Sequence, residues 1–206
     1  VISFRNALYD KNVFVKRKLP VKVISVGNIS TGGTGITSLV IHLARSLTEK
    51  GYRVAVLTRG YGRQGTQREI LVSDGEKIAE LPVQVVGDEP LLIARSCPGV
   101  IVGVARDRVG QGERIVQKFS PDVVLLDDGF QYRRLHRDLD IVCLNGLRPL
   151  YKDELFPYGC LREPWRSLVR AHVLILLNYD LLDDEMCEVW QDKLEKFGEV
   201  IFARYV

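Results

Sequence analysis

Three features of this 206-residue sequence predict an α/β protein, with a mostly parallel sheet covered by helices on both faces. Short β-branched runs alternate with helical patterns along most of the chain. The runs are continuously apolar, as expected for strands buried on both faces. A glycine-rich loop separates the first apolar run from the first long helical pattern. A chain of this length can bury a sizeable core as one domain.

The individual elements follow from the same patterns. Apolar runs predict strands at 21–27, 53–58, 83–86, 100–104, 122–127, 139–145 and 172–178. Helical periodicity predicts helices at 35–50, 88–96, 107–119 and 181–196. The final run VIFARYV also has strand character. The polar, glycine-containing stretch 60–82 is expected to be a mobile loop, and the proline-containing stretch 146–170 to run irregularly over the surface.

Composition restricts the class of partner and compartment. A net charge of +3 is too small to indicate nucleic acid by itself, and we expect no nucleic-acid partner. The four cysteines share no metal-ligand spacing, which favours reduced thiols. The triplet Asn28-Ile29-Ser30 matches a glycosylation acceptor, which we interpret as a chance match. No stretch of 18 apolar residues is present, so no membrane span is predicted.

The segment from Ser30 to Thr37 has the pattern of a phosphate-binding loop, because it follows a strand and opens a helix. Its glycines allow successive N–H groups to point at an anion, and the helix N-terminus adds partial positive charge. Thr37 lies where a loop hydroxyl binds Mg²⁺. The candidate nucleotide-binding residues are Gly32, Gly33, Thr34, Gly35, Ile36 and Thr37. A P-loop NTPase-like fold is the corresponding prediction.

Ile36 departs from the usual loop, since it occupies the position of the lysine that reaches the β- and γ-phosphates. Isoleucine has no charge and no hydrogen-bond donor in its side chain. A glycine-rich turn without phosphate binding is therefore an alternative interpretation of this segment.

Two acidic pairs follow predicted strands. Asp127 and Asp128 end the run DVVLLD, where P-loop proteins hold Mg²⁺ at the carboxyl edge of the sheet. Asp88 and Glu89 lie at a second junction, where Asp88 is predicted to cap the helix and could also accept a proton from an attacking hydroxyl. The alternatives are an Asp-Gly turn for the first pair and helix capping alone for the second.

Arginines also recur just after strand ends. Because guanidinium pairs bidentately with phosphate, a ring of them at one sheet edge would suit an anionic ligand, although each could be a solvated surface charge. The arginines in question are Arg59, Arg63, Arg106, Arg108, Arg133, Arg134, Arg137 and Arg162.

Taken together, these segments resemble the tetraacyldisaccharide 4'-kinases of Gram-negative lipid A synthesis. The resemblance rests on seven segments in the family's order: RNALYDKN, VKVISVGNISTGGTGIT, LTRGYGR, VGDEPLLIA, ARDRV, PDVVLLDDGFQYRRLHRDLDIV and LFPYGCLREPWRSL. The motifs around RGYGR, GDEP and DDGFQ are specific, whereas the phosphate loop alone is not.

The resemblance implies transfer of the γ-phosphoryl group of ATP, with Mg²⁺, to the 4'-hydroxyl of a tetraacyldisaccharide 1-phosphate. The acceptor would be a lipid-linked disaccharide at the cytoplasmic face of the inner membrane, with this chain peripheral and monomeric. Asp88, Arg108 and Asp128 would be catalytic, with Asp88 as the base. Thr37, Glu89, Asp127 and Asp128 would serve the metal, and Gln131 would line the crevice.

Several departures from the family pattern lead us to expect impaired activity. Besides Ile36, Ser38 replaces a common proline and Tyr132 a common histidine. Residues 1–206 would form the nucleotide-binding, N-terminal kinase domain. The family's N-terminal membrane helix and its C-terminal subdomain, with the histidine that pairs with the base, would be absent.

Two other functional classes stay open on the residues alone. A non-catalytic nucleotide-binding relative or scaffold is favoured by Ile36. A P-loop metallochaperone or partition-type ATPase would share the loop and the strand-end aspartate, but would not be expected to carry RGYGR, GDEP and DDGFQ in this order.

Overall fold

One eight-stranded sheet organises the residues described by the computed structural model, 2–64 and 67–204. Its strands are β1 (Lys22–Gly27), β2 (Val54–Thr58), β3 (Glu69–Asp74), β4 (Ile101–Ala105), β5 (Val123–Asp127), β6 (Leu139–Asn145), β7 (Val173–Leu177) and β8 (Glu199–Ala203). The order across the sheet is β3-β4-β2-β5-β1-β6-β7-β8. All neighbouring pairs are parallel except β3 and β4, so the predicted mostly parallel sheet is confirmed.

Helices connect the strands and cover the sheet. They are α1 (Ile2–Asp10), α2 (Ile36–Glu49), α3 (Val83–Val86), α4 (Asp88–Ser96), α5 (Arg108–Phe119) and α6 (Asp184–Leu194). Short 3₁₀ turns lie at Leu150–Lys152, Trp165–Arg170, Tyr179–Leu181 and Glu195–Phe197.

The core has a layer on each side of the sheet, because strand side chains alternate between the faces. On one side, α2 and α4 bury residues such as Val40 and Ile93 against the strands. On the other, α5 packs through Val109 and Ile115, and α6 through Trp190 and Leu194. The predicted placement of helices on both faces is therefore confirmed.

Two secondary-structure predictions are wrong. The run VQVV at 83–86 forms the single helical turn α3 rather than a strand. A run of four residues is too short for periodicity to distinguish the two states, and Gly87, with φ 98°, ends the turn. The stretch 60–82, expected to be a loop, contains β3, which pairs antiparallel with β4 at the sheet edge; residues 65 and 66 lie outside the described part.

The prolines of residues 146–170 predicted a stretch that runs irregularly over the surface. Part of this stretch is instead buried. Leu161 and Glu163 are buried, and Leu161 forms an antiparallel bridge with Ser30. The backbone N–H of Arg162 donates to the carbonyl of Ile29 at 2.7 Å. This segment thus lies beside the glycine-rich loop. Within 2–64 and 67–204, none of the helices combines the length and apolar character needed to cross a bilayer.

Candidate active site

A cleft of about 500 Å³ opens where β1, β2 and β5 end. Ligands of open parallel sheets bind at this edge, beyond the carboxyl ends of the strands. The lining residues are Asn28, Ser30, Thr31, Gly32, Ile36, Thr37, Thr58, Arg59, Tyr61, Glu89, Asp127, Asp128 and Arg162. A slightly larger cavity of about 570 Å³, between α1 and residues 164–170, shares none of these residues, and so volume alone does not identify the site.

The glycine-rich loop forms one wall of the cleft. Gly32 and Gly35 have φ angles of 99° and 66°, a left-handed conformation that glycine adopts without strain. Gly35 immediately precedes α2 and gives the helix no side-chain cap within the described residues, so first-turn N–H groups stay available to a ligand. The buried hydroxyl of Ser30 also has no partner in the described part of the chain. This geometry is that of a phosphate-binding loop.

Ile36 lies at the first position of α2, between the cleft and the core. Its half-buried side chain packs against the apolar cluster beneath the helix. The loop therefore contributes backbone dipoles but no side-chain cation at this position. The cationic side chains lining the cleft come from Arg59 and Arg162.

Three carboxylates stand opposite the loop. Asp127 is only 2% exposed. Burial raises its pKa to about 7, reinforced by the charges of Glu89 and Asp128 and opposed by a hydrogen bond with Thr58. Burial, followed by the charges of Asp88 and Asp128, also raises the pKa of Glu89. Mutual repulsion of this kind is what a bound cation relieves.

Whether Mg²⁺ suits this site depends on the oxygen ligands that line the cleft. Mg²⁺ prefers hard oxygen ligands and is usually held by one or two carboxylates together with substrate phosphates. Asp127, Glu89 and the Thr37 hydroxyl line one cleft and supply such oxygens. The described residues hold no cluster of three or more acidic, histidine or cysteine ligands. The residues present therefore fit Mg²⁺.

Asp128 does not stand free in the cleft, because Arg162 binds it. The two Nη atoms of Arg162 donate to the two carboxylate oxygens at 2.7 and 3.0 Å. Asp128 itself has φ 50°, an uncommon value for a residue other than glycine. A bidentate pair of this type fixes the carboxylate in the cleft wall.

Arg108 binds the backbone of the turn that carries Asp127 and Asp128. Its Nη1 donates to the carbonyl oxygens of Asp127 and Asp128 at 2.9 and 3.1 Å, and its guanidinium stacks on Tyr132. Burial lowers the pKa of Arg108 to about 10, partly offset by Asp128, so the group stays charged at neutral pH. The structure thus places Arg108 where it positions the two aspartates.

Asp88 lies at the rim of the site. It is exposed and forms the first residue of α4, and Gly87 precedes the helix in the capping position predicted for Asp88. Its Oδ1 accepts the N–H of Glu89 at 3.0 Å. Glu89, rather than Asp88, lines the cleft.

Sequence reasoning overlooked Asn28, which connects three parts of the site. Its Nδ2 donates to Thr34 Oγ1 at 2.7 Å, its Oδ1 accepts from Arg162, and its carbonyl accepts from Gln131. The available signal was a buried polar residue directly after β1, at the carboxyl edge of the sheet.

The sheet topology and the glycine-rich loop define the class of fold: an α/β protein with a P-loop NTPase-like fold. The signal recognition particle receptor FtsY of Elizabethkingia anophelis, solved in complex with GDP, has the same fold at 11% identity and a TM-score of 0.52. That likeness covers 92% of this chain and 58% of the receptor chain, and it concerns the fold alone.

The particular family is shown by sequence. The family model for tetraacyldisaccharide-1-P 4'-kinase matches residues 1–201, and the chain belongs to this family. It is 49% identical over 175 residues to the tetraacyldisaccharide 4'-kinase of Syntrophus aciditrophicus, covering 84% of this chain and 46% of that protein. Identity to the Aquifex aeolicus kinase is 46%, covering 85% of this chain and 54% of that protein.

A solved structure agrees with this assignment. LpxK from Aquifex aeolicus, crystallised in complex with ATP, superimposes with a TM-score of 0.80 at 45% identity. The match covers 88% of this chain and 56% of that one. The chain spans about half the length of these relatives.

Proposed function

We propose that this chain is the nucleotide-binding domain of a tetraacyldisaccharide 4'-kinase, which transfers the γ-phosphoryl group of ATP to the 4'-hydroxyl of a tetraacyldisaccharide 1-phosphate. One observation carries the proposal: the glycine-rich loop and the carboxylates of Asp127, Asp128 and Glu89 line a single cleft. Phosphoryl transfer depends mainly on positioning and neutralisation of charge, which such a cleft can supply.

The nucleotide would lie with its phosphates against residues 30–37. Loop N–H groups and the start of α2 would bind the β- and γ-phosphates, and Arg59 would add a cation from the opposite wall. Thr37, Asp127 and Glu89 would hold Mg²⁺, with Asp128 adjoining them. Bound Mg²⁺ supplies charge neutralisation at the phosphates.

The acceptor hydroxyl requires a base at the rim of the cleft. Asp88 is our candidate, because it is exposed beside Glu89 at the first turn of α4. A base must come within hydrogen-bond reach of the hydroxyl, and a rim position is open to an incoming acceptor. Arg108 would act through the aspartates that it positions.

The setting of the domain belongs to the same proposal. Because the acceptor is lipid-linked, we propose that the chain works peripherally at the cytoplasmic face of the inner membrane. We also propose that it is a monomer with no nucleic-acid partner. Residues 1–206 would form the nucleotide-binding domain.

The test measures Mg²⁺-ATP binding by calorimetry and transfer of labelled γ-phosphate to the disaccharide acceptor. Thr37→Ala should weaken Mg²⁺-dependent ATP binding at least tenfold, because it removes a proposed metal ligand. Thr48→Ala is the matched control, since Thr48 lies at the far end of the same helix and its hydroxyl donates to the Ala44 carbonyl. If ATP fails to bind the unmodified chain, the proposal is wrong.

A second candidate function is a nucleotide-binding relative or scaffold without turnover. The observation that favours it is Ile36, which packs against the apolar cluster and leaves no side-chain cation where a lysine would reach the phosphates. The same two assays separate the candidates, because ATP binding without transfer to the acceptor supports the scaffold, and transfer supports the kinase.

A further inference from the structure

One arginine outside the lining of the cleft lies directly against the glycine-rich loop. Arg148 follows β6, the strand that neighbours β1 in the sheet, and its backbone N–H donates to the carbonyl of Asn145 at 3.0 Å. Its side chain reaches the loop, where Nη1 donates to the carbonyl of Thr31 at 3.3 Å. A Cβ atom placed on Gly32 would lie 3.0 Å from the same Nη1, so the missing side chain of this glycine allows the close approach. The guanidinium therefore touches a residue that lines the cleft.

The backbone of Thr31 is held by two residues that do not line the cleft. Its N–H donates to the carbonyl of Cys160 at 2.7 Å, and its carbonyl accepts from Arg148. Nη2 of Arg148 also lies 3.4 Å from Sγ of Cys160. Gly32, with φ 99°, turns the chain directly after this point. Arg148 thus joins the start of the loop to the segment 159–163 beside it.

The positive charge of Arg148 has no acidic partner in the described part of the chain. The residue is exposed, and it makes no ion pair with any residue in 2–64 or 67–204. Its contacts with Thr31 and Cys160 are with neutral atoms, and both are longer than the roughly 2.7 to 2.9 Å of charge-assisted hydrogen bonds. A phosphate held by the loop would be a stronger acceptor. A charge that touches the loop also lies well within the screening length of about 8 Å at physiological salt.

We propose that Arg148 gives the phosphate loop the cation that Ile36 does not, by pairing with phosphate oxygens of the nucleotide across Gly32. The inference rests on the proposed function, in which residues 30–37 bind the nucleotide phosphates. Ile36 packs against the apolar cluster under α2, whereas Arg148 reaches the same loop from the end of β6. A guanidinium suits this task because its planar fork matches phosphate oxygens. Position 36 therefore does not leave the loop without a positive charge.

The test is a double-mutant cycle for Mg²⁺-ATP binding, measured by calorimetry on the unmodified chain, Arg148→Gln, Ile36→Lys and the variant with both changes. Arg148→Gln alone should raise the dissociation constant about tenfold, because one charge-assisted phosphate contact is lost. In the Ile36→Lys background the same change should raise it less than about threefold, because the lysine then serves the phosphates. Lys152→Gln is the matched control. This exposed lysine of the same segment lies over the Tyr151 ring, and its loss should change the constant less than about twofold.

Three results overturn the inference and leave the nucleotide site in place. Equal affinity of Arg148→Gln and the unmodified chain for Mg²⁺-ATP would show that Arg148 makes no phosphate contact. Equal losses in the two backgrounds would assign Arg148 a purely structural role in holding the loop. Equal losses from Arg148→Gln and Lys152→Gln would assign the effect to general electrostatics. Failure of the proposed function registers differently, as absence of Mg²⁺-ATP binding by the unmodified chain, and the inference then fails with it.

Discussion

At the scale of single residues, position 36 decides how the phosphate loop can act. Ile36 follows the left-handed Gly35 and begins α2, where a lysine would reach into the cleft from the same backbone position. Its side chain instead packs against the apolar cluster. Compared with a loop that has lysine at position 36, this loop has the same type of backbone geometry but lacks the charge-assisted contact of the lysine amine.

We predict that Ile36→Lys strengthens Mg²⁺-ATP binding at least tenfold, because a lysine amine would reach the β- and γ-phosphates. Calorimetry measures the change, and thermal unfolding should show a cost of about 1 kcal/mol from lost apolar burial. Ser38→Lys is the matched control, since it adds the same charge two positions later at an exposed site. Equal tightening by both variants would mean that general electrostatics, rather than a specific contact, is responsible.

At the scale of elements, α6 shows how a helix is fixed to the sheet by one large side chain. Helical periodicity predicted a helix at 181–196, and the structure has Asp184–Leu194, preceded by a 3₁₀ turn. Asp183 caps the helix by accepting the N–H of Met186 at 2.8 Å. Trp190 is fully buried and donates to the carbonyl of Gly146 at 2.8 Å.

We predict that Trp190→Ala lowers the free energy of unfolding by about 3 to 5 kcal/mol, because it leaves a cavity under α6. Its neighbours Tyr151 and Trp165 pack edge-on or tilted against the ring and cannot fill that space without moving. Trp190→Phe keeps an aromatic ring and loses the hydrogen bond, so it should cost about 1 to 3 kcal/mol. Urea unfolding ranks the two variants, and similar losses for both would contradict the cavity explanation.

The irregular segment 159–163 is also held in place by specific contacts. Its backbone bonds hold it against the phosphate loop, and its consecutive residues serve two regions. Arg162 enters the cleft to bind Asp128, whereas the buried Glu163 pairs with Arg170 and with Asn6 of α1. The site and the N-terminal helix are therefore connected through one stretch of chain.

At the scale of the whole molecule, the buried carboxylate of Asp127 lowers the stability of the folded chain at neutral pH. The folded chain keeps Asp127 in an environment that raises its pKa to about 7, above the value near 4 of an unfolded aspartate. Between these values the folded state binds more protons than the unfolded state. Its stability therefore falls as the pH rises from about 4 to 7, and the full penalty is present above pH 7.

We predict that Asp127→Asn raises the free energy of unfolding at pH 8 by about 1 to 3 kcal/mol in metal-free buffer, because no charge is then buried. The gain should vanish near pH 4, where the native carboxyl is also neutral. Thermal unfolding across this range measures it, with the exposed Asp180→Asn as control. A gain in the free energy of unfolding that does not depend on pH would contradict this explanation. The variant should also lose Mg²⁺-dependent ATP binding, so stability and function would change in opposite directions.

The parallel core of this fold could be predicted from local sequence patterns. Continuous apolar runs marked the buried strands, and turn residues marked where they end, because burial on both faces leaves a direct compositional signal. The same logic predicted that the glycine-rich loop and the strand-end aspartates would lie close together, since the carboxyl ends of parallel strands meet at one edge, and both line the same cleft. It missed β3 and misassigned residues 83–86, where runs were polar or too short for periodicity to decide.

Only the tertiary structure decided which groups meet across the cleft. The Arg162–Asp128 pair joins residues 34 positions apart, and the contact of Gln131 with Asn28 spans 103 positions. A cavity of about 230 Å³ likewise gathers side chains from α1, three strand ends and the 159–163 segment. Local patterns report burial and turn geometry, whereas long-range pairing depends on how the strands are ordered. For that reason the sequence specified the parts of the site, and the fold alone assembled them.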